Sequence, residues 1–250
     1  MGGVEHGGDP HRAGRLVDGD RLRSALQAGA ELSPFCMLQS APGRQWVSWP
    51  DLLADRAHFA GRAAEVRRTL TVGAVPGERV VASLVHLGLV ARLLAPALGA
   101  ALAGGILPVV APEGVHVRLA GSNPLPMALT DAAGVEVGTP AAVADQLARH
   151  WLTPLVAPWT ALVGASALVS GQVLAGNVTS AVAGVLTVAV ATRQDLADRS
   201  VAVLDALLAN GPLAGTGGRR PDGSFIRRSC CLFYRLPGAG TCADCVLAQG

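Results

Sequence analysis

A chain of 250 residues, half of them hydrophobic and 15% charged, is long enough to bury a core and too apolar to be disordered. A formal net charge of +2 is too small to argue for a nucleic-acid partner. All 20 basic residues are arginine, a bias that GC-rich codon usage accounts for.

Residues 1–20 are rich in Gly, His and charge and read as a flexible lead-in. His6 and His11 are expected to be idle there. The segment has no apolar run of the kind export requires, so the expectation is a cytoplasmic protein. A short helix should follow, with Leu22 and Leu26 on one face, ending near Gly29. Residues 34–49 alternate and read as extended, with Gln45-Trp46-Val47 returning as a second strand after the Pro42-Gly43 turn. Cys36, a lone cysteine, is expected to be a small buried apolar residue.

Ser48 three residues before Asp51 marks a helix start. The helix it opens should put Leu52, Phe59, Ala63, Val66 and Leu70 inward. Asp55, Arg56, Arg62, Glu65, Arg67 and Arg68 would form a solvated face, and Gly73 and Pro76 end the helix. Residues 78–104 form a long apolar helix that Pro96 breaks or kinks. Arg92 lies within it and needs an internal ion pair or a place at the substrate site; His86 reads as a hydrogen-bonded core histidine.

From 109 to 137 turn signals separate two short strands, 115–119 and 127–130, which fit a small antiparallel sheet with His116 and Arg118 on one exposed face. Thr139-Pro140 caps a helix through Ala148, and Thr153-Pro154 repeats that signal. No charged residue occurs between Trp151 and Thr192, a stretch long enough to cross a bilayer. Its prolines, Asn177, hydroxyls and small residues favour two closely packed core helices. Thr192 to Asp195 reads as another capping box, opening a helix with Leu196, Val203, Leu204 and Leu207 inward and a stop at Asn210-Gly211-Pro212. Gly215 to Gly218 resembles a hinge and lacks the Lys-Ser/Thr of a phosphate loop.

The chemistry is concentrated at the end. Cys230, Cys231, Cys242 and Cys245 follow the pattern C-C-x10-C-x2-C. Four thiolates suffice for zinc or an iron–sulfur cluster, and in a reducing compartment a metal site is favoured over disulfides or a redox switch. The C-x2-C half is an ordinary chelating loop. Adjacent Cys230 and Cys231 suit a larger cluster better than one tetrahedral ion, because their side chains diverge. Phe225, Phe233 and Tyr234 stand near the cysteines, either to shield the site or as the core of a small lobe.

The run Arg228-Ser229-Cys230-Cys231-x-x-Tyr234-Arg235-Leu236-Pro237-Gly238, with Cys242-x-x-Cys245, resembles the C-terminal motif of FhuF-type ferric-siderophore reductases. Residues 91–108 resemble the same family. So do residues 174–181, where Asn177 matches and Ala175 replaces the usual Trp. The resemblance implies a [2Fe-2S] cluster on Cys230, Cys231, Cys242 and Cys245. It also implies one-electron reduction of iron(III) bound to a siderophore. No nicotinamide or flavin motif is present, so a separate donor of the ferredoxin or flavin-reductase type is expected. Arg227, Arg228 and Arg235 are candidates for tuning the cluster charge or attracting a ligand, against a simpler role as solvated surface.

The expected architecture is α+β and mainly α-helical, with small antiparallel β elements and a C-terminal iron–sulfur lobe. It divides into a flexible segment (1–20), a helical scaffold and substrate domain (21–214) and a cluster segment (219–250). Peripheral contact with the inner face of the membrane fits the apolar 151–192 stretch. The competing readings are a [2Fe-2S] electron carrier or redox sensor that does not act on siderophores, and a zinc-stapled interaction protein.

Overall fold

The computed structural model describes residues 14–248. His6, His11 and most of the expected lead-in lie outside them. The fold is mainly α-helical with small antiparallel sheets. Its centre is a pair of long apolar helices, α4 (Glu78–Gly104) and α7 (Gly171–Thr192), which pack on each other. Each is long and apolar enough to cross a membrane, but 78% of the apolar window of α4 and 56% of that of α7 are buried inside the protein. α4 is therefore a core helix, and α7, in the uncharged stretch, packs on it with the larger part of its window buried. A fully buried Leu such as Leu93, Leu94 or Leu98 contributes about 1.5–3 kcal/mol. α4 runs through Pro96 unbroken, so the expected break is not found. The lost amide of Pro96 costs one bond in a helix held by burial on all sides.

α1 (Gly19–Ala30) opens on Asp18, which accepts from the Arg21 amide. It lies against α4 so closely that a Cβ at Gly29 would stand 2.6 Å from the Ala100 nitrogen. Before it, β1 (Leu16–Val17) pairs with β6 (Ala133–Glu136), which pairs in turn with β3 (Ile106–Val109). Residues 16–20 of the expected lead-in are thus structured. β6 occupies a place where Asp131–Gly134 signalled only a turn. The second sheet orders β2 (Val47–Ser48), β4 (Val115–Val117) and β5 (Met127–Leu129). The β4–β5 pair is the one expected. Residues 34–36, however, form a 3-10 turn, and β2 pairs with β4 instead of folding back on residues 35–40.

The capped helix at Ser48 is real: Ser48 Oγ accepts from the Asp51 amide and donates to its carboxylate at 2.6 Å. It ends after six residues as α2 (Trp49–Ala54), because Asp55 turns extended and caps α3 (Arg56–Leu70). On α3, Arg62 is buried, not solvated. It bonds the carbonyls of Leu119 and Gly121 at 3.2 and 2.6 Å and pairs with Glu65 at 2.9 Å. Arg92 of α4 is also buried, and its partners are backbone carbonyls: Phe35 and Met37 at 2.6 Å each, and Leu125. Among the described residues the expected internal ion pair is absent; carbonyl dipoles compensate the charge, and burial pulls its pKa down to about 10. Cys36 is buried beside it, its thiol pushed up to about 11 by burial.

α5 (Pro140–Leu147) starts on the Thr139 cap. It continues as a π-helical segment (Ala148–Val156) into α6 (Ala157–Ala167). Thr153-Pro154 therefore lies inside a wide turn and starts nothing. Proline removes an amide at that point, which a π segment tolerates. Trp151 fixes the segment by donating to the Pro108 carbonyl at 2.8 Å. Trp159 of α6 packs against Trp49 in a tilted pair and Phe59 edge-on, ring centroids 6.2 and 5.9 Å away. After α7 the expected capping box does not form. Thr192 Oγ1 donates to the Val188 and Leu32 carbonyls, and a 3-10 turn leads into α8 (Ala197–Ala209), whose expected inward residues are buried. Gly217 and Gly218 of the expected hinge begin strand β7 (Gly217–Arg219), paired antiparallel with β8 (Phe225–Arg227).

Candidate metal centre

The tail after β8 has little regular structure, so hydrogen bonds to the helices must hold it. The Ser83 hydroxyl of α4 donates to the Cys231 carbonyl at 2.8 Å. Asn177 of α7 donates to the Ser83 carbonyl and hydroxyl at 2.9 and 3.0 Å. Its own carbonyl accepts from Arg227 Nη2 at 2.6 Å. Asn177 thus bonds both across the core and to the tail, where only one of the two was expected to dominate. Ser180 donates to the Asp244 carboxylate, and the Arg227 amide donates to the Asp244 carbonyl at 3.2 Å. Arg220 spans the tail, donating to the carbonyls of Phe225 and Cys245 at 3.0 and 3.2 Å. Gly176 makes this approach possible. A Cβ there would overlap Ser229 Oγ and stand 2.9 Å from Arg227 Nη2.

The structure brings Cys231 and Cys242 into contact, and Cys230 lies near enough to Cys231 and Cys245 to feel their charge. All four are free thiols; Cys231 and Cys245 are buried and Cys230 and Cys242 half-buried. Cys231 and Cys242 Sγ stand 3.4 Å apart. That is far beyond a disulfide bond and close to the roughly 3.7 Å between two sulfurs on one tetrahedral metal at about 2.3 Å each. The Leu232 amide donates to Cys230 Sγ and the Leu247 amide to Cys245 Sγ, both at 3.3 Å. Burial raises the pKa of Cys230, with Cys231 and Cys245 adding to it and the Leu232 amide and Arg227 opposing it. Cys242 is pushed up strongly, by burial first and then by contact with Cys231 and Asp244. Among the described residues no three His, Cys, Asp or Glu side chains converge for a single ion. One pair of sulfurs, Cys231 and Cys242, is in contact.

Arg227 is the residue the sequence left undecided. It is 1% exposed, so it is no solvated surface charge. Among the described residues its Nε and Nη1 have no hydrogen-bond partner, nor does Ser229 Oγ beside it, and no carboxylate pairs with it. Arg228 and Arg235 are exposed, Arg235 lying over the Tyr234 ring at 5.7 Å. Tyr234 is 42% exposed and shields nothing, whereas Phe225 packs against the main core. His86 is buried and bonded to Thr160 at 3.0 Å as expected. Burial first, and Arg227 second, drive its pKa down to about 3.

A thiol pair in contact, with Cys230 under the influence of Cys231, Cys245 and the buried Arg227, suits an anionic metal–thiolate group. Residues 227–247 match the family model of the FhuF 2Fe-2S C-terminal domain, consistent with an FhuF-type protein. No curated protein matches the chain. The cofactor of such a domain is a [2Fe-2S] cluster, and the residues fit it. Leaving a guanidinium buried with two unused donors costs several kcal/mol. A tetrathiolate two-iron cluster on these cysteines would supply negative charge near Arg227, which already acts on Cys230. Sequence reasoning found the cysteines and missed Ser83, Gly176 and the clamp by Arg220. Gly176 and Ser83 carry no local signal; only the tail folded onto the helices makes them matter.

Proposed function

We propose that this protein is a ferric-siderophore reductase, with Cys230, Cys231, Cys242 and Cys245 as cluster ligands. The observation that carries the reading is the buried Arg227 guanidinium, with unused donors and acting on Cys230, in a segment whose four thiols are free and which matches a 2Fe-2S domain. The 3.4 Å contact pairs Cys231 with Cys242. Cys230, which feels the charge of both Cys231 and Cys245, would complete the ligand set with Cys245. When bound, a [2Fe-2S] cluster supplies single electrons, one of which converts chelated iron(III) to iron(II) while the cluster returns from its reduced to its oxidised form.

The chain's own residues set the conditions. Asn177 holds Arg227 in place, and that fixed positive charge favours the reduced, more negative form of the site. The Leu232 and Leu247 amides stabilise charge on sulfur in the same direction. Burial of Cys231 and Cys245 keeps water from part of the site. Exposed Arg228 and Arg235 offer a positive surface to an anionic one-electron donor of the ferredoxin or flavin-reductase type. No general acid or base is required, since hard oxygen donors hold iron(II) far less tightly than iron(III). The proposed location is cytoplasmic, with room for peripheral contact at the inner face of the membrane.

Single-turnover mixing tests the reading. Protein reduced anaerobically and freed of reductant is mixed with a ferric siderophore and an iron(II) chelator. One iron(II) released per reduced cluster is expected. No transfer from an intact cluster assigns the protein instead to electron carriage or redox sensing.

A further inference from the structure

A groove of about 580 Å³ runs between the tail and the faces of α4 and α7, within the size range of small-molecule pockets. Its floor is made by small residues, Ala91 and Ala95 on α4 and Gly184 on α7, which leave the space larger side chains would fill. One wall is Ala243-Asp244, the loop between Cys242 and Cys245, so anything in the groove touches the segment that carries two of the thiols.

Its charges are already engaged. Arg220 is held by the Phe225 and Cys245 carbonyls, and Asp244 accepts from Ser180. With one base and one acid on an otherwise apolar or uncharged lining, the groove offers no net charge to an occupant. A highly anionic ligand would lose its hydration there without a counter-charge.

We propose that this groove is the chelate site, taking an iron(III) complex of little net charge with an apolar periphery and seating it against the Ala243-Asp244 loop. The proposal rests on the reductase reading above.

Binding can be read apart from electron transfer with gallium(III), which has the charge and nearly the size of iron(III) and is not reduced. The probe is the gallium complex of an uncharged tris-hydroxamate, titrated calorimetrically into cluster-loaded protein. Gly184→Leu is the blocking variant, because a Cβ there meets nothing within 4 Å and the new side chain builds into the groove. Gly61→Leu on α3 is the control, also with open space around its Cβ. Saturable binding by the parent protein and the control is expected. The blocking variant should bind at least about tenfold more weakly, a loss of roughly 1.4 kcal/mol, with an unchanged visible spectrum. If Gly184→Leu does not fold, Val188→Arg, exposed on the groove lining, should show the same loss.

Unchanged affinity in the blocking variant overturns the groove assignment. So does a parent protein that reduces a ferric chelate in single turnover and does not bind the gallium complex; in both cases the reductase reading stands. Protein prepared anaerobically without iron and sulfide overturns the reading underneath.

Discussion

Arg227 is 1% exposed, and among the described residues no carboxylate pairs with it. Replacing it with Gln keeps one donor for Asn177 and removes the charge. A unit charge within about 10 Å of the cluster, at an effective dielectric of about 20, is worth roughly 1.7 kcal/mol, or on the order of 70 mV for one electron. The reduction potential of Arg227→Gln, read by redox titration, should therefore fall by about that amount. An unchanged or higher potential would remove Arg227 from the account. Gly176 gives a second check. In an exposed helix interior Gly→Ala stabilises by about 1 kcal/mol. Here the added methyl overlaps Ser229 and crowds Arg227, so Gly176→Ala should destabilise by about 1–3 kcal/mol in denaturant melts and speed cluster loss.

At the scale of elements, α4 and α7 form the floor on which the tail rests, and His86 of α4 stands in that floor. Its pKa is depressed to about 3 in the folded protein against about 6.5 unfolded. Below pH 6.5 the unfolded chain takes up a proton that the folded one refuses. Stability from this group is complete above pH 6.5 and declines by up to about 1.4 kcal/mol per unit as pH falls toward 3. His86→Gln, able to keep the Thr160 bond, should flatten that decline between pH 6.5 and 4 relative to the parent in urea melts. Parallel curves would show that His86 stays out of the titration.

The elements also show what could be read in advance. The four cysteines were legible because their spacing is local. α4, α8 and the β4–β5 pair were legible because apolar periodicity and turn residues are local too. Arg62 and Arg92 were misread because their partners are carbonyls of distant loops, such as Gly121 and Leu125, and no charge pattern along the chain marks a carbonyl. The split at Asp55 and the π segment around Pro154 were missed because each substitutes one acceptable cap or turn for another. The pairing of β6 with β1 and β3 depends on contacts more than a hundred residues apart in one case. Asn177 was recognised as polar and buried, but its double attachment to Ser83 and Arg227 exists only once the tail is in place.

The whole molecule is a helical body with a short, irregular tail laid over its two central helices. The tail carries a buried cation, so its docking should depend on the negative group it surrounds. Removing the cluster with a chelator and a reductant should raise amide exchange across residues 225–247 at least about tenfold, with α4 and α7 little changed. Uniform exchange before and after would mean that the tail docks by itself. The most direct measurement is metal and sulfide analysis of protein purified anaerobically, with electron paramagnetic resonance after one-electron reduction. The account expects two iron and two sulfide per chain and a signal from a spin-one-half two-iron centre, lost when Cys231 or Cys242 is changed to Ala. Zinc without sulfide, or a colourless protein with neither metal, would contradict it.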